Sequence, residues 1–290
     1  MSNPRINFIG CGRLGKTLAS LFKTKEIAKI NGIVCSSISS SLSAINVIGD
    51  GIPFKTISEL PDANIYFITT RDDIIADMCD ELIKKDISNS IIVHCSGSLS
   101  SEILIKAKLS GGFVASIHPI KSFANLEESI RSFPGTHCAI EGDEIAVSTI
   151  KDLFTKIGAN VFQIKKNEKY VYHAAGVIAN NYMVTLHHVA TQCYEKVGID
   201  KKMATEIVSK LSLEALKNIN LMHHDKALTG PIQRGDAMTI KNHTIALSYN
   251  PIIQNMYKAL GLATLPLTNH SKSIKEEITE ILTNKIKSNL

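Results

Sequence analysis

The strongest constraint on this chain is an alternation. From residue 5 to about 165, short apolar runs alternate with amphipathic stretches. RINFIG precedes RLGKTLASLFK, INGIVCS follows, and NIYFITT leads into DDIIADMCDELIKKD. SIIVHCSG precedes SSEILIKAKL, then come GFVASIHP and THCAIEGD, with DEIAVSTIKDLFTKIG before a last run, NVFQI. Strands that alternate with helices build a mostly parallel sheet wrapped by helices. The near-continuous apolar character of these runs fits strands buried on both faces. After Lys165-Lys166 the pattern changes. Residues 167 to about 197 contain no Pro and carry apolar residues at helical spacing, which predicts one long helix. Further helices are expected at about 201–220, 240–248, 251–260 and 271–288. The expected architecture is an α/β, doubly wound N-terminal domain over residues 1–165 and an all-α C-terminal domain over residues 166–290.

Composition excludes several functions. The 290 residues carry a net charge of +5, with 44% apolar and 20% charged residues, so there is material for a sizeable core. No basic run exceeds Lys165-Lys166 or Lys201-Lys202, so no nucleic-acid partner is expected; the mild basicity suits small anionic ligands. No apolar run approaches the roughly 20 residues of a membrane span, and none resembles a signal peptide, so no membrane partner is expected. Six cysteines lie scattered at 11, 35, 79, 95, 138 and 193 with no C-x-x-C, the usage of a reduced cytoplasmic protein. His187-His188 and His223-His224 are adjacent pairs whose side chains point apart on a helix, so no metal site is expected.

INFIGCGRLGKTLASLF carries Gly10, Gly12 and Gly15 in G-x-G-x-x-G spacing, after an apolar strand and opening a helix. That context makes it a Rossmann dinucleotide turn: the first glycine for the tight turn, the second for close approach of a pyrophosphate, the third for helix–strand packing. Arg13 and Leu14 complete the turn. The second strand, ending GIVCSSISSS, supplies no acid before Asp50 to bond a ribose 2′-hydroxyl. Ser36, Ser37 and Ser39 offer donors where a 2′-phosphate would sit, and Arg13 could add charge, so NADP is the expected cofactor. Ligands of open α/β sheets bind outside the carboxyl ends of strands, which makes Thr69, Thr70, Arg71 and Ser96 further cofactor candidates. Asp72 or Asp73 is expected to cap a helix, and His94 to be a packed core residue.

Candidate catalytic groups come from two stretches. SIHPIKSF ends a strand and places His118, Lys121 and Ser122 on one rim, donors that a carboxylate substrate would need. On the long helix, His173, Gly176 and Asn180 fall at i, i+3 and i+7 and would share a face, with Asn181 beside them. Later, TGPIQRGD breaks the helical half with two glycines and a proline. Arg234 is expected to grip a substrate carboxylate in a two-pronged fork. Asp236 is either a helix N-cap or a substrate contact, and the helix start after it is expected to attract an anion.

The glycine turn, HPIKSF, HAAGVIANNY and ALTGPIQRGD together resemble a Rossmann-like bacterial family with a C-terminal helical domain long labelled as of unknown function. The resemblance covers essentially the whole chain. That family is similar in plan to ketopantoate reductases, pyrroline-5-carboxylate reductases and 6-phosphogluconate dehydrogenases, and some members look like an alternative class of ketopantoate reductase. The resemblance implies an NADPH-dependent reductase of a small anionic 2-keto acid, first of all 2-dehydropantoate to pantoate. Reduction of another keto or imino acid, or a dinucleotide-binding redox sensor, are the alternatives. Ordinary ketopantoate reductases place a catalytic Lys one turn before an Asn; if Asn180 is that Asn, Gly176 stands where the Lys would be. His173, or Lys121 from the other domain, would then supply the proton, with Asn180 bonding the same oxygen. The long helix, apolar over much of its circumference with Val177, Ile178, Met183, Val184, Leu186 and Val189, implies a homodimer through the C-terminal domain.

Overall fold

The computed structural model describes residues 3–283. The apolar runs become strands, and six of them pair in parallel. These are β1 (Arg5–Ile9), β2 (Lys29–Val34), β3 (Ile52–Phe54), β4 (Ile65–Ile68), β5 (Ile91–His94) and β6 (Phe113–Pro119). β7 (His137–Gly142) runs antiparallel to β6, and β8 (Asn160–Gln163) pairs in parallel with β7. The order across the sheet is β3-β2-β1-β4-β5-β6-β7-β8, a mostly parallel, doubly wound α/β sheet as expected. One strand escapes the sequence pattern: β3 is a three-residue edge strand with Pro at its centre, the position where a sheet tolerates a missing N–H.

The alternation of side chains across the pleat builds two cores. Ile65 and Phe67 join Phe8, Phe22 and Phe154 on one face of the sheet, while Tyr66 and Ile68 join Ile75, Leu82 and Leu104 on the other. Phe8 stacks on Phe67 at 5.2 Å between ring centroids, and Phe154 meets the edge of Phe22 at 5.9 Å. Helices α1 (Arg13–Thr24), α2 (Ile38–Ile48), α3 (Ile75–Leu82), α4 (Ile105–Leu109), α5 (Leu126–Arg131) and α6 (Glu144–Lys156) connect the strands. All six cysteines are unpaired thiols.

The long helix forms, but not as one regular rod. α7 (Lys169–Gly176) passes into a π-turn (Val177–Asn181) and then α8 (Tyr182–Lys196). A π-turn winds with i→i+5 bonds, so the i, i+7 count from His173 to Asn180 does not put those two residues on one face. That part of the spacing argument fails for this physical reason. Strand gives way to helix near residue 166, as the sequence indicates, whereas the compact units divide later, into residues 1–179 and 180–290. The first two turns of the helix belong to the first unit because Lys169, Tyr172 and His173 pack against residues of the sheet.

The second unit contains α8, α9 (Lys201–Leu221), α10 (His224–Ala227), α11 (Pro231–Arg234), α12 (Ala237–Ala246), α13 (Pro251–Thr264) and α14 (Lys272–Thr283). The end of the helix expected at 271–288 lies outside the described residues. Ile240, Leu265, Ile278 and Leu282 form its core. TGPIQRGD is a single helical turn between two breaks: Gly230, with φ of +95°, precedes Pro231 at the first position of α11, and Gly235, with φ of +70°, ends it. Asp236 then caps α12, its Oδ1 accepting from the Thr239 amide at 3.0 Å and its Oδ2 from the Thr239 hydroxyl at 2.7 Å. The helix start expected to attract a ligand anion is thus met by the chain's own carboxylate. Among the described residues, no helix is long and apolar enough to cross a membrane.

Candidate active site

The strand order reverses between β1 and β4, and the chain leaves these two strands toward opposite faces of the sheet. A crevice at their carboxyl ends is the geometric consequence. It is a cavity of about 1010 Å³, walled by Gly10 and Gly12, by Ser36, Ser39 and Ser40 after β2, and by Thr69, Thr70 and Arg71 after β4. The three glycines have separate causes. Gly10 has φ of +74°, and a Cβ on it would lie 2.5 Å from Thr70 Cγ2; a Cβ on Gly15 would lie 2.6 Å from Thr69 Oγ1. Packing inside the protein therefore accounts for both. A Cβ on Gly12 would meet nothing within 4 Å, so nothing in the chain explains its lack of a side chain. Thr70 Oγ1, in the same wall, is buried with no hydrogen-bond partner. An open glycine and an orphaned hydroxyl in the wall of one crevice fit a bound polar group there.

Several sequence-derived candidates have other work. Thr69 donates its hydroxyl to the Gly10 carbonyl. Arg71 forms a two-pronged surface pair with Asp73 at 2.7 and 3.1 Å. Arg13 is exposed and Leu14 packs against the core; neither walls the crevice. Ser37 caps α2, accepting from the Ser40 amide at 3.2 Å, so Ser36, Ser39 and Ser40 form the wall instead. Two cations that the sequence reading passed over, Lys16 and Lys55, line the crevice. Lys16 lies one turn beyond Gly12, a placement that a helical count could have found. Lys55 follows the unrecognised strand β3, so nothing local placed it opposite the serines.

A second cluster lies at the ends of β5 and β6. Gly97 forms its floor: a Cβ there would collide with His173 Nδ1 and come within 2.9 Å of His118 Nε2. The two imidazoles converge at 75°, with ring centroids 5.9 Å apart. His118 Nδ1 lies 2.7 Å from the Tyr172 hydroxyl. Burial pushes the His118 pKa down to about 4, helped by the Lys169 charge, and burial raises that of Tyr172. The phenol therefore keeps its proton and donates to Nδ1, which leaves N–H at His118 Nε2, facing Gly97. His94 is the packed core residue expected: Nδ1 accepts from the Ser96 amide at 3.1 Å, Nε2 lies 3.1 Å from the Ser100 carbonyl, and burial lowers its pKa to about 4.

Ser96 and Asp72 build the loop around this floor. The hydroxyls of Ser96 and Ser98 donate to Asp72 Oδ2 at 2.7 and 2.8 Å, so Asp72 anchors a loop and does not cap a helix. Lys121 donates to the Ser132 carbonyl and hydroxyl at 3.2 and 2.8 Å, at the C-terminal end of α5, where a cation complements the free carbonyls. Its ammonium is tied there, and Ser122 is exposed. The lysine in the cluster is Lys169, fully buried, which the sequence reading did not single out. Asn180 and Asn181, the first residues of the second unit, lie exposed at the end of the π-turn. There too, Arg234 is mostly exposed, 3.9 Å from Asp236. Among the described residues no three His, Cys, Asp or Glu side chains gather into a metal site.

Comparison with known proteins adds to this geometry. Residues 136–264 match the profile of a domain of unknown function, DUF2520. No curated protein matches. Among solved structures, protein TM1727 from Thermotoga maritima is similar at 27% identity and a TM-score of 0.72, over 93% of this chain and 98% of that one. BF3122 from Bacteroides fragilis, a candidate NADP oxidoreductase, is similar at 18% identity and a TM-score of 0.75, over 91% and 99%. Pyrroline carboxylate reductase from Plasmodium falciparum, solved with NADP bound, is similar at 14% identity and a TM-score of 0.58, over 92% and 99%. The two likenesses below 20% identity establish the Rossmann-type fold.

The buried imidazoles of His94 and His118 make folding depend on pH. Each has a folded pKa near 4 against 6.5 in the unfolded chain. As pH falls below 6.5 the unfolded chain takes up protons first, so the stability present above 6.5 drains away toward 4, on the order of 3 kcal/mol per imidazole. Urea unfolding across that window is expected to show this decline, and His118→Gln to reduce it by about half, leaving the His94 share. A flat profile for the unsubstituted chain contradicts neutral, buried imidazoles.

Proposed function

We propose that this chain is an NADPH-dependent reductase of a small keto or imino acid. The observation that carries the reading is one juxtaposition within the first unit: a glycine crevice at the ends of β1 and β4, and converging imidazoles at the ends of the neighbouring β5 and β6. In this reading Gly12 and Lys16 hold the pyrophosphate, and Ser36, Ser39 and Lys55 hold the 2′-phosphate of the adenosine half. The absence of an acid before Asp50 supports NADPH over NADH. So do the likeness to a candidate NADP oxidoreductase and to a pyrroline carboxylate reductase with NADP bound.

NADPH, when bound, supplies the hydride. The protein's part is proton supply and orientation. His173, half-buried over Gly97, donates a proton to the oxygen or nitrogen that gains charge as the carbonyl or imine is reduced. His118, held neutral and oriented by Tyr172, presents its Nε2–H to the same atom. Within this class, 2-dehydropantoate, giving pantoate for coenzyme A synthesis, is the first substrate to test, and a cyclic imino acid such as pyrroline-5-carboxylate the second. Asn180, Asn181 and Arg234 are proposed substrate contacts. Lys121, tied to Ser132, has no part in the proton step in this reading, and Asp236 is occupied in capping α12.

We also propose a homodimer through the helical unit. Met183, Val184, Leu211 and Leu213 on α8 and α9 are exposed, and few side chains of either helix are buried. Light scattering at micromolar concentration is expected to give twice the 31.7 kDa of one chain; the mass of a single chain contradicts it.

Following NADPH absorbance with a panel of keto and imino acids tests the activity. His173→Ala is expected to lower kcat by roughly 100-fold. NADPH binding without turnover of any member of the panel would instead support a dinucleotide sensor. For the cofactor, Lys55→Ala is expected to weaken NADPH binding about tenfold while leaving NADH unchanged, the mark of a lost 2′-phosphate contact. Equal loss for both nucleotides removes Lys55 from that role.

A further inference from the structure

Lys169 is among the largest fully buried side chains, at 1% exposure. Its Nζ donates to the Ser96 carbonyl at 2.7 Å and to the Ser116 hydroxyl. Among the described residues it forms no ion pair. The acid whose charge acts on it most strongly, Glu141, has its own carboxylate oxygens occupied by the amide and hydroxyl of Ser101, each at 2.7 Å. A buried cation without a paired anion is costly, and a neutral side chain could staple a helix to a sheet at less cost. The charge itself therefore calls for an explanation.

Its position supplies one. Ser96 immediately precedes Gly97, the floor beneath the imidazoles, and Ser116 lies on β6 two residues before His118. Tyr172 and His173 sit one turn along α7 from Lys169, at i+3 and i+4, on the same face of the helix. One ammonium thus joins the floor, the strand that carries one imidazole and the helix that carries the other. The charged and titratable groups facing the cluster are His94, Asp72, Glu141, Cys95, Cys138 and Tyr172. Asp72 is held by Ser96 and Ser98 and Glu141 by Ser101. Burial lowers the His118 pKa most; the Lys169 charge comes next, followed by that of His173, and Asp72 opposes them.

We propose that Lys169 is the positioning residue of this site: its buried ammonium fixes α7 to the Ser96–Gly97 floor and sets a positive charge behind the paired imidazoles. That charge keeps His118 in the neutral form that accepts from Tyr172, and it favours negative charge developing on a group reduced above Gly97. The activity arm rests on the reductase reading; the imidazole arm does not.

The test compares Lys169→Met, which keeps the length and removes the charge, with Lys169→Arg, which keeps the charge. Nitrogen-15 NMR of the histidine rings in the full chain reads their protonation. In the unsubstituted protein His118 is expected to be neutral at about pH 5.5. In Lys169→Met its midpoint is expected to rise by roughly one pH unit or more, and in Lys169→Arg to stay low. With an active substrate, Lys169→Met is expected to lose about tenfold in kcat with NADPH affinity unchanged. If Lys169→Met does not fold, Ser116→Ala, which loosens the anchor and leaves the charge, is expected to lower kcat at least about threefold with His118 still neutral. Identical His118 titration in Lys169→Met, or unchanged kcat in whichever variant folds, overturns the proposal. A shifted His118 in a protein that reduces no keto or imino acid discards the reductase reading and leaves the placement of Lys169 standing.

Discussion

The reversal of strand order between β1 and β4 is the constraint from which the rest follows. A right-handed crossover from β1 leads to one side of the sheet and one from β4 to the other, so the loops at their carboxyl ends part and leave a gap no side chain fills. Gly10 and Gly15 are required to close the turn and pack α1 against that edge. Gly12 is not required by anything in the chain, and Thr70 Oγ1, in the wall of the same crevice, has no partner. The fold makes an opening, and two of its lining residues are unexplained until a polar ligand occupies it.

The neighbouring strands β5 and β6 carry the second consequence. Their carboxyl ends bring Gly97 and His118 together, and α7 lays Tyr172 and His173 over them. Burial holds His94 and His118 neutral, and hydrogen bonds fix their ring orientation. A neutral imidazole held by a phenol, beside a half-exposed second imidazole, is suited to deliver a proton to one atom in a fixed place. The buried ammonium of Lys169 adds a link from α7 to the Ser96–Gly97 floor and to Ser116 on β6, beside the His118–Tyr172 hydrogen bond.

Much of the first unit was legible in the sequence because period and packing agree there: continuous apolar strands, a glycine turn with its strand and helix in place, and a histidine helix after them. The failures are each physical. β3 was passed over because a three-residue edge strand with a central Pro has no period. The face shared by His173 and Asn180 dissolved because a π-turn lies between them, and hydrogen-bond register within a helix leaves no mark on apolar spacing. Ser37 and Lys121 were assigned to ligands because residue type alone does not reveal a local partner; one caps α2 and the other satisfies the end of α5. Lys169 was missed because a lysine beside Lys165 and Lys166 reads as solvated. Its burial is set by Ser96 and Ser116, far away in sequence.

The central claim is that the glycine crevice and the imidazole cluster serve one bound nucleotide. A crystal structure of the protein with NADPH tests this most directly. The account predicts the pyrophosphate over the Gly12 amide and the reactive carbon of the nicotinamide ring within about 4 Å of the Gly97 backbone, facing His173. A nucleotide bound with its nicotinamide turned away from Gly97, or no nucleotide in the crevice at saturating concentration, would contradict it.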